Sequence, residues 1–159
     1  MGIMENLLAH QRLETPVLQP LTIAYGEKPM QLPLSTLQAT VQTQTKLLDA
    51  LEAACYWLNS QLPVDMVAYC HPRSGTFHMA CEGRSHLEPQ LATTVRDIME
   101  GPTPRMRHWR VGNHFYHIHT GTPMPHNSRF LLVEPGGKIS VESANALLQA
   151  MAHILSHKI

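Results

Sequence analysis

Phe130-Leu131-Leu132-Val133-Glu134-Pro135-Gly136-Gly137-Lys138, followed by a helical pattern from Ser140 to Ile159, is the stretch that decides how this chain folds. Four consecutive apolar residues bounded by turn chemistry read as a fully buried strand, and Glu134 to Lys138 reads as the turn out of it. The helix that follows ends on His157-Lys158-Ile159 with no Gly or Asn to close it. A helix leaves its last carbonyls without internal partners, and a left-handed Gly or Asn is the common remedy. The expectation is an output helix that runs on into further chain.

Working outward, the composition narrows the class. At 159 residues, one domain is expected, long enough to bury roughly two-thirds of its unfolded surface. Twelve Lys and Arg balance twelve Asp and Glu, so no net field draws the chain to nucleic acid or an anionic membrane. The basic and aromatic run Arg105-Met106-Arg107-His108-Trp109-Arg110 therefore reads as a solvated strand start, and no nucleic-acid partner is expected. No apolar run reaches the length of a membrane-spanning helix, and Met1-Gly2-Ile3-Met4-Glu5-Asn6 lacks the layout of a signal peptide. No membrane insertion is expected, and the expected location is cytoplasmic. Cys55, Cys70 and Cys81 are odd in number and form no C-x-x-C pair, so they read as buried thiols.

Two regions follow from the chain's texture. Residues 1–34 hold four of the twelve prolines and read as a Pro-rich N-terminal extension, with a short helical turn at Leu7–Leu13 and a strand at Leu21–Tyr25. From Ser35, a plausible N-cap, Gly and Pro are absent through Leu62. Leu37, Val41, Leu48, Leu51, Cys55, Leu58 and Leu62 make a seam of 3.5-type spacing, with Gln44 in the skipped position, and predict one amphipathic helix over 36–62. Its seam packs on the chain's own sheet, or is shared with a second copy. Val64–Cys70 and Thr76–Cys81 read as a hairpin, residues from about Leu87 as a helix with Leu91, Val95, Ile98 and Met99 on one face, and His108–Thr120 as one long strand. Gly101-Pro102 ends the short helix. The order gives an α+β fold, an antiparallel sheet with the long first and last helices on one face and the short helix on the other. A ligand cavity is expected between the sheet and the short helix.

At this point residues 35–159 resemble a GAF domain, the small-molecule sensory module of bacterial signalling proteins. The resemblance rests on Leu48 through Leu58, Val64 through Cys70 and Gly75 through Gly83 as first helix and opening hairpin, and on Phe130 through Ile154 as closing strand and helix. A PAS-like sensor shares much of this pattern. The Asn-Lys, Phe and Asp-Glu signature of cyclic-nucleotide-binding members has no counterpart here, and neither does the Gly-rich segment around the catalytic cysteine of methionine-sulfoxide-reducing members. Cys70-His71 closes a strand, unlike the Cys-His pair of bilin-binding members.

The eleven histidines are the unusual number in the composition. In a single strand over 108–120, alternation places Trp109, Val111, Phe115, His117 and His119 on one face. Two imidazoles at i and i+2 begin a metal site, with His78, His126 or Cys81 as a further ligand where the fold brings the strands together. Their other readings are ordinary pocket-lining groups or pH-responsive ones. His153 and His157, four apart on the last helix, could pair on a metal, but at a solvated helix face they read as favouring the negative end of that helix. No nucleophile system or phosphate loop stands out.

The resemblance implies a sensory, non-catalytic chain whose parent carries an output such as a diguanylate cyclase (GGDEF) domain or a histidine kinase. His117, His119, Phe115, His78 and Trp109 are the expected ligand-binding residues, and no particular cofactor is implied. A homodimer is expected, with Leu48, Leu51, Leu58, Leu147, Met151 and Ile154 on the dimer and signal helices. The alternative is a small metal-binding enzyme or metal sensor built on His117 and His119.

Overall fold

The computed structural model describes residues 18–62, 64–73, 76–83, 88–99, 104–125 and 128–156, and for 71–73, 76–83, 88 and 95–99 the description extends to the backbone alone. The turn expected at Leu7–Leu13, the Gly101-Pro102 stop, His126, and the helix end from His157 to Ile159 lie outside the described residues. The chain is an α+β fold. A hairpin of β1 (Leu21–Tyr25) and β2 (Lys28–Leu32) leads into α1 (Leu34–Gln42) and α2 (Leu47–Gln61). These are followed by β3 (Met66–Arg73), β4 (Thr76–Gly83), α3 (Glu88–Met99), β5 (Met106–Val111), β6 (His114–Thr120), β7 (Arg129–Glu134) and α4 (Val141–Leu155).

β3 to β7 form one five-stranded sheet in the order β4-β3-β7-β6-β5, antiparallel at every pairing. β7 is its middle strand, which explains its unbroken apolar run, because both of its faces are covered. Phe130 and Leu132 face a cluster built from α1, α2 and α4, with Leu37, Val41, Leu51, Leu58, Leu147 and Met151. Leu131 and Val133 face the opposite way, with Met66, Ala68, Cys70, Ile118 and Leu91 of α3. The long and short helices therefore take opposite faces, as the sequence order predicts. Cys55 and Cys70 are both buried.

α4 begins at Ser140, whose hydroxyl oxygen accepts the Ser143 N–H at 3.0 Å. That is the standard side-chain answer to an orphan donor at a helix start. Its buried stripe, Ala144, Leu147, Leu148, Met151, Ile154 and Leu155, is wide enough to cover sheet and α1/α2 together.

Two expectations are corrected. The predicted single helix over 36–62 is two helices, broken between Thr43 and Lys46, and it starts at Leu34 after Pro33 and not after Ser35. The break changes the helical phase. Leu47, Leu51, Ala54 and Leu58 turn inward, while Leu48, a seam residue in the continuous reading, is 59% exposed. Trp57 Nε1 donates to Thr36 Oγ1 at 2.9 Å, pinning the two helices together. The predicted strand over 108–120 is a hairpin, because Gly112 and Asn113 form a two-residue turn with Gly112 at φ 62°. A left-handed first turn residue is what a tight hairpin asks for, and glycine takes it without a Cβ clash.

The N-terminal hairpin packs into the same core. Ile23 and Leu32 are buried in the helical cluster, a bridge pairs Tyr25 with Ile139, and the Gly26 N–H donates to the Lys138 carbonyl. It is thereby tied to the turn between β7 and α4. No helix among the described residues is long and apolar enough to cross a membrane.

Candidate metal-binding centre

The corrected hairpin redistributes the candidate residues. Trp109 pairs with Tyr116 and His108 with His117 across β5 and β6. Trp109 and Val111 consequently join Tyr116 and Ile118 on the α3 face, with the Trp109 and Tyr116 rings 5.7 Å apart. His117 and His119 point the other way, toward the α1/α2/α4 face, away from the side where a cavity was expected. Phe115 shares their strand face but stands at the hairpin end, 65% exposed, with the Arg110 guanidinium 5.3 Å from its ring centroid.

His78 belongs to β4, and β3 and β7 stand between β4 and β6. At about 4.8 Å per strand, β4 lies roughly 14 Å from β6. Strands 76–81 and 108–120 are thus not brought together, and neither His78 nor Cys81 stands beside His117. The third group is one the sequence reading missed. β7 pairs with β6 so that His117 lies opposite Glu134 and His119 opposite Leu132. Glu134 continues the Phe130, Leu132 face, and it is a carboxylate directly after the apolar run Phe130-Leu131-Leu132-Val133. That was the available signal.

His117, His119 and Glu134 each offer a ligand atom, and these atoms all lie within 4.8 Å of one another. Glu134 Oε2 stands 3.2 Å from His119 Nε2 and 3.4 Å from His117 Nδ1. Its other oxygen, Oε1, accepts the Lys138 N–H at 3.2 Å, and the Gly137 N–H donates to His117 Nδ1 at 3.4 Å. The ring of His108 meets His117 edge to face at 4.8 Å. His119 and Glu134 are 1% and 0% exposed, while the His117 side chain keeps 22% of its surface in solvent. The centre is therefore buried at its base and open at one imidazole.

The turn after β7 makes this possible. Gly136 adopts φ 84°, and a Cβ there would stand 3.8 Å from the His117 ring. A left-handed residue curls the backbone so that successive N–H groups face inward, toward Glu134 and His117. His119 Nδ1 is buried without a hydrogen-bond partner among the described residues.

Tyr25 reports the same burial from the N-terminal hairpin. Its hydroxyl is pushed above the usual tyrosine range, first by burial and then by the negative charges of Glu134 and Asp65. The folded chain therefore favours the neutral phenol. That contribution is complete below the unfolded pKa of about 10 and is lost as pH rises from there through the folded value. Urea midpoints taken at pH 8 and above pH 10 are expected to fall further in the wild type than in Tyr25→Phe.

Leu51, Leu58, Leu147, Met151 and Ile154 lie inside the chain's own core. Of the residues expected on the signal helices, Leu48 alone is exposed, and Glu52 and Tyr56, the latter 64% exposed, continue its i, i+4 ridge on α2. No protein-family model matches the chain, and no curated protein matches it.

Proposed function

We propose that this chain is a regulatory input module of the GAF-like sensory kind, from a bacterial signal-transduction protein. In this reading, a small ligand at the His117, His119 and Glu134 centre is relayed through α4 and α2 of a homodimer. The receiving part is an output domain such as a diguanylate cyclase or a histidine kinase. One observation carries the reading: the Glu134 carboxylate is shared between two imidazoles and the Lys138 N–H, and Lys138 stands two residues before the Ser140 cap of α4.

A ligand that takes over one of those interactions changes what holds the turn, and α4 is the next rigid element along the chain. α4 shares a packed core with α1 and α2. Close-packed helices respond to such a change by shifting together, not by yielding locally. The layered α+β arrangement supports the same reading at the level of fold, while the site carries the function.

Sedimentation of the isolated chain over a wide concentration range tests the relay surface. With Leu51 and Leu58 committed to the core, the dimer contact falls to the Leu48, Glu52 and Tyr56 ridge. A dimer that Leu48→Glu dissociates is the expected result. A strictly monomeric wild type, indifferent to that change, would remove the dimer relay. Amide exchange tests the input, since Glu134→Gln is expected to raise exchange in the 135–139 turn and the first turn of α4 before the rest of the sheet.

A further inference from the structure

The geometry points to a divalent late first-row cation, of the Zn2+ class, as the ligand of this centre, bound by His117 Nδ1, His119 Nε2 and Glu134 Oε2. The inference rests on the reading of this centre as the input site, and it names the chemistry of the input. Zinc forms bonds of about 2.0–2.1 Å to imidazole and carboxylate, so tetrahedral ligand atoms stand roughly 3.3–3.4 Å apart. Glu134 Oε2 lies 3.2 Å and 3.4 Å from the two nitrogens. Two of the three edges of a ligand face are thus already near their bound lengths.

A cation also suits the burial of the site. Glu134 Oε2 stands against both imidazole nitrogens on a side chain with 0% exposure, and a divalent ion bound to all three atoms at once would offset the cost of burying that carboxylate.

The donor set also selects the ion. Two imidazoles and one carboxylate suit zinc and its neighbours, whereas calcium and magnesium ask for oxygen ligands. Three protein ligands leave a further position, and the solvent-facing side of His117 is where it opens. Metal-bound histidines ordinarily donate their second N–H to a fixed partner, and His119 Nδ1 has none among the described residues. Affinity is therefore expected below that of closed structural sites, in the reversible range that suits a sensed ion.

The test uses the full chain purified without an affinity tag, stripped with a chelator and titrated with Zn2+ alone. Elemental analysis after desalting gives the stoichiometry, and competition with a chromophoric chelator gives the affinity. One ion per chain is expected. Loss of an outer partner alone typically weakens such sites about 10–100-fold, so His117→Ala and Glu134→Gln are expected to weaken Zn2+ binding at least about 100-fold. His153→Ala, on the exposed face of α4, is the control and leaves it unchanged.

His117 is partly exposed, so His117→Ala keeps the test decisive even where Glu134→Gln fails to fold. A trace of metal below stoichiometry, or binding that His117→Ala leaves intact, overturns the cation. Failure here and failure of the regulatory reading are separable. Stoichiometric Zn2+ with no change in α4 exchange keeps the metal site and removes the relay, whereas a Leu48-dependent dimer that binds no Zn2+ does the reverse.

Discussion

Phe130→Ala is expected to lower the unfolding free energy by about 3–5 kcal/mol, the upper range for a buried aromatic truncated to a methyl group. Phe130 is 1% exposed on the middle strand of the sheet, with its ring edge on to Tyr69 at a centroid separation of 5.6 Å. The cost of such a change depends on whether the surroundings can collapse into the space left behind. Here they are held on every side. β7 is hydrogen-bonded to β3 and β6, and the Gly121 N–H donates to the Phe130 carbonyl at 2.8 Å. Above the ring, α1, α2 and α4 are locked to one another. The cavity is therefore expected to persist. Urea denaturation checks this, with a lowered midpoint at unchanged slope. Phe115→Ala is the control, because that ring is 65% exposed with the Arg110 guanidinium over its face, and it is expected to cost under about 1 kcal/mol.

The same strand shows why some of this fold was legible in the sequence. A run of four apolar residues between turn residues has few homes other than the inside of a sheet, and Ser140 before a 3.6-residue stripe leaves little freedom over where α4 begins. β3, β4 and the side of the sheet taken by α3 follow from similarly local signals. Two elements were misjudged because their punctuation is weak. Thr43 to Lys46 holds no Gly or Pro, so hydrophobic spacing carries the predicted helix across the break. Gly112-Asn113 is a hairpin signal, but aromatic and β-forming residues on both sides let it pass as the middle of one strand.

The second misjudgement had the larger consequence for the site. A one-strand reading gives Trp109 and His117 the same face, and the two-residue turn restores a register in which they take opposite faces. Glu134 was hidden for a different reason. Its partnership with His117 is a cross-strand pairing between β6 and β7, and register between strands is set by the whole sheet, not by any local stretch. The histidine half of the centre was visible as His117-Ile118-His119. The carboxylate half required the topology.

Glu134→Ala is expected to destabilise the chain by about 1–3 kcal/mol, because it leaves the buried polar groups that face the carboxylate unsatisfied. His119 Nε2 loses its acceptor at 1% exposure, and the Lys138 N–H loses the oxygen that holds the turn before α4. Glu134→Gln keeps an acceptor for Lys138 and is expected to lose markedly less. The informative variant is the double, Glu134→Leu with His119→Leu. Replacing both members of a buried polar pair by apolar groups of similar size is often neutral or stabilising, since neither member is left without the other; the Lys138 N–H loses its acceptor equally in Glu134→Leu and in the double, so that loss cancels between them. Urea denaturation of the wild type, both single leucine variants and the double, all in chelator, yields the coupling between the two positions. If the double equals or exceeds the wild type, the carboxylate and imidazole contribute no net stability that apolar residues could not supply. Their burial beside the helical core then calls for a functional cause, which is the cause that ion binding provides. A double variant less stable than either single would instead make the pair a structural clasp for α4, and the centre would lose its claim as an input.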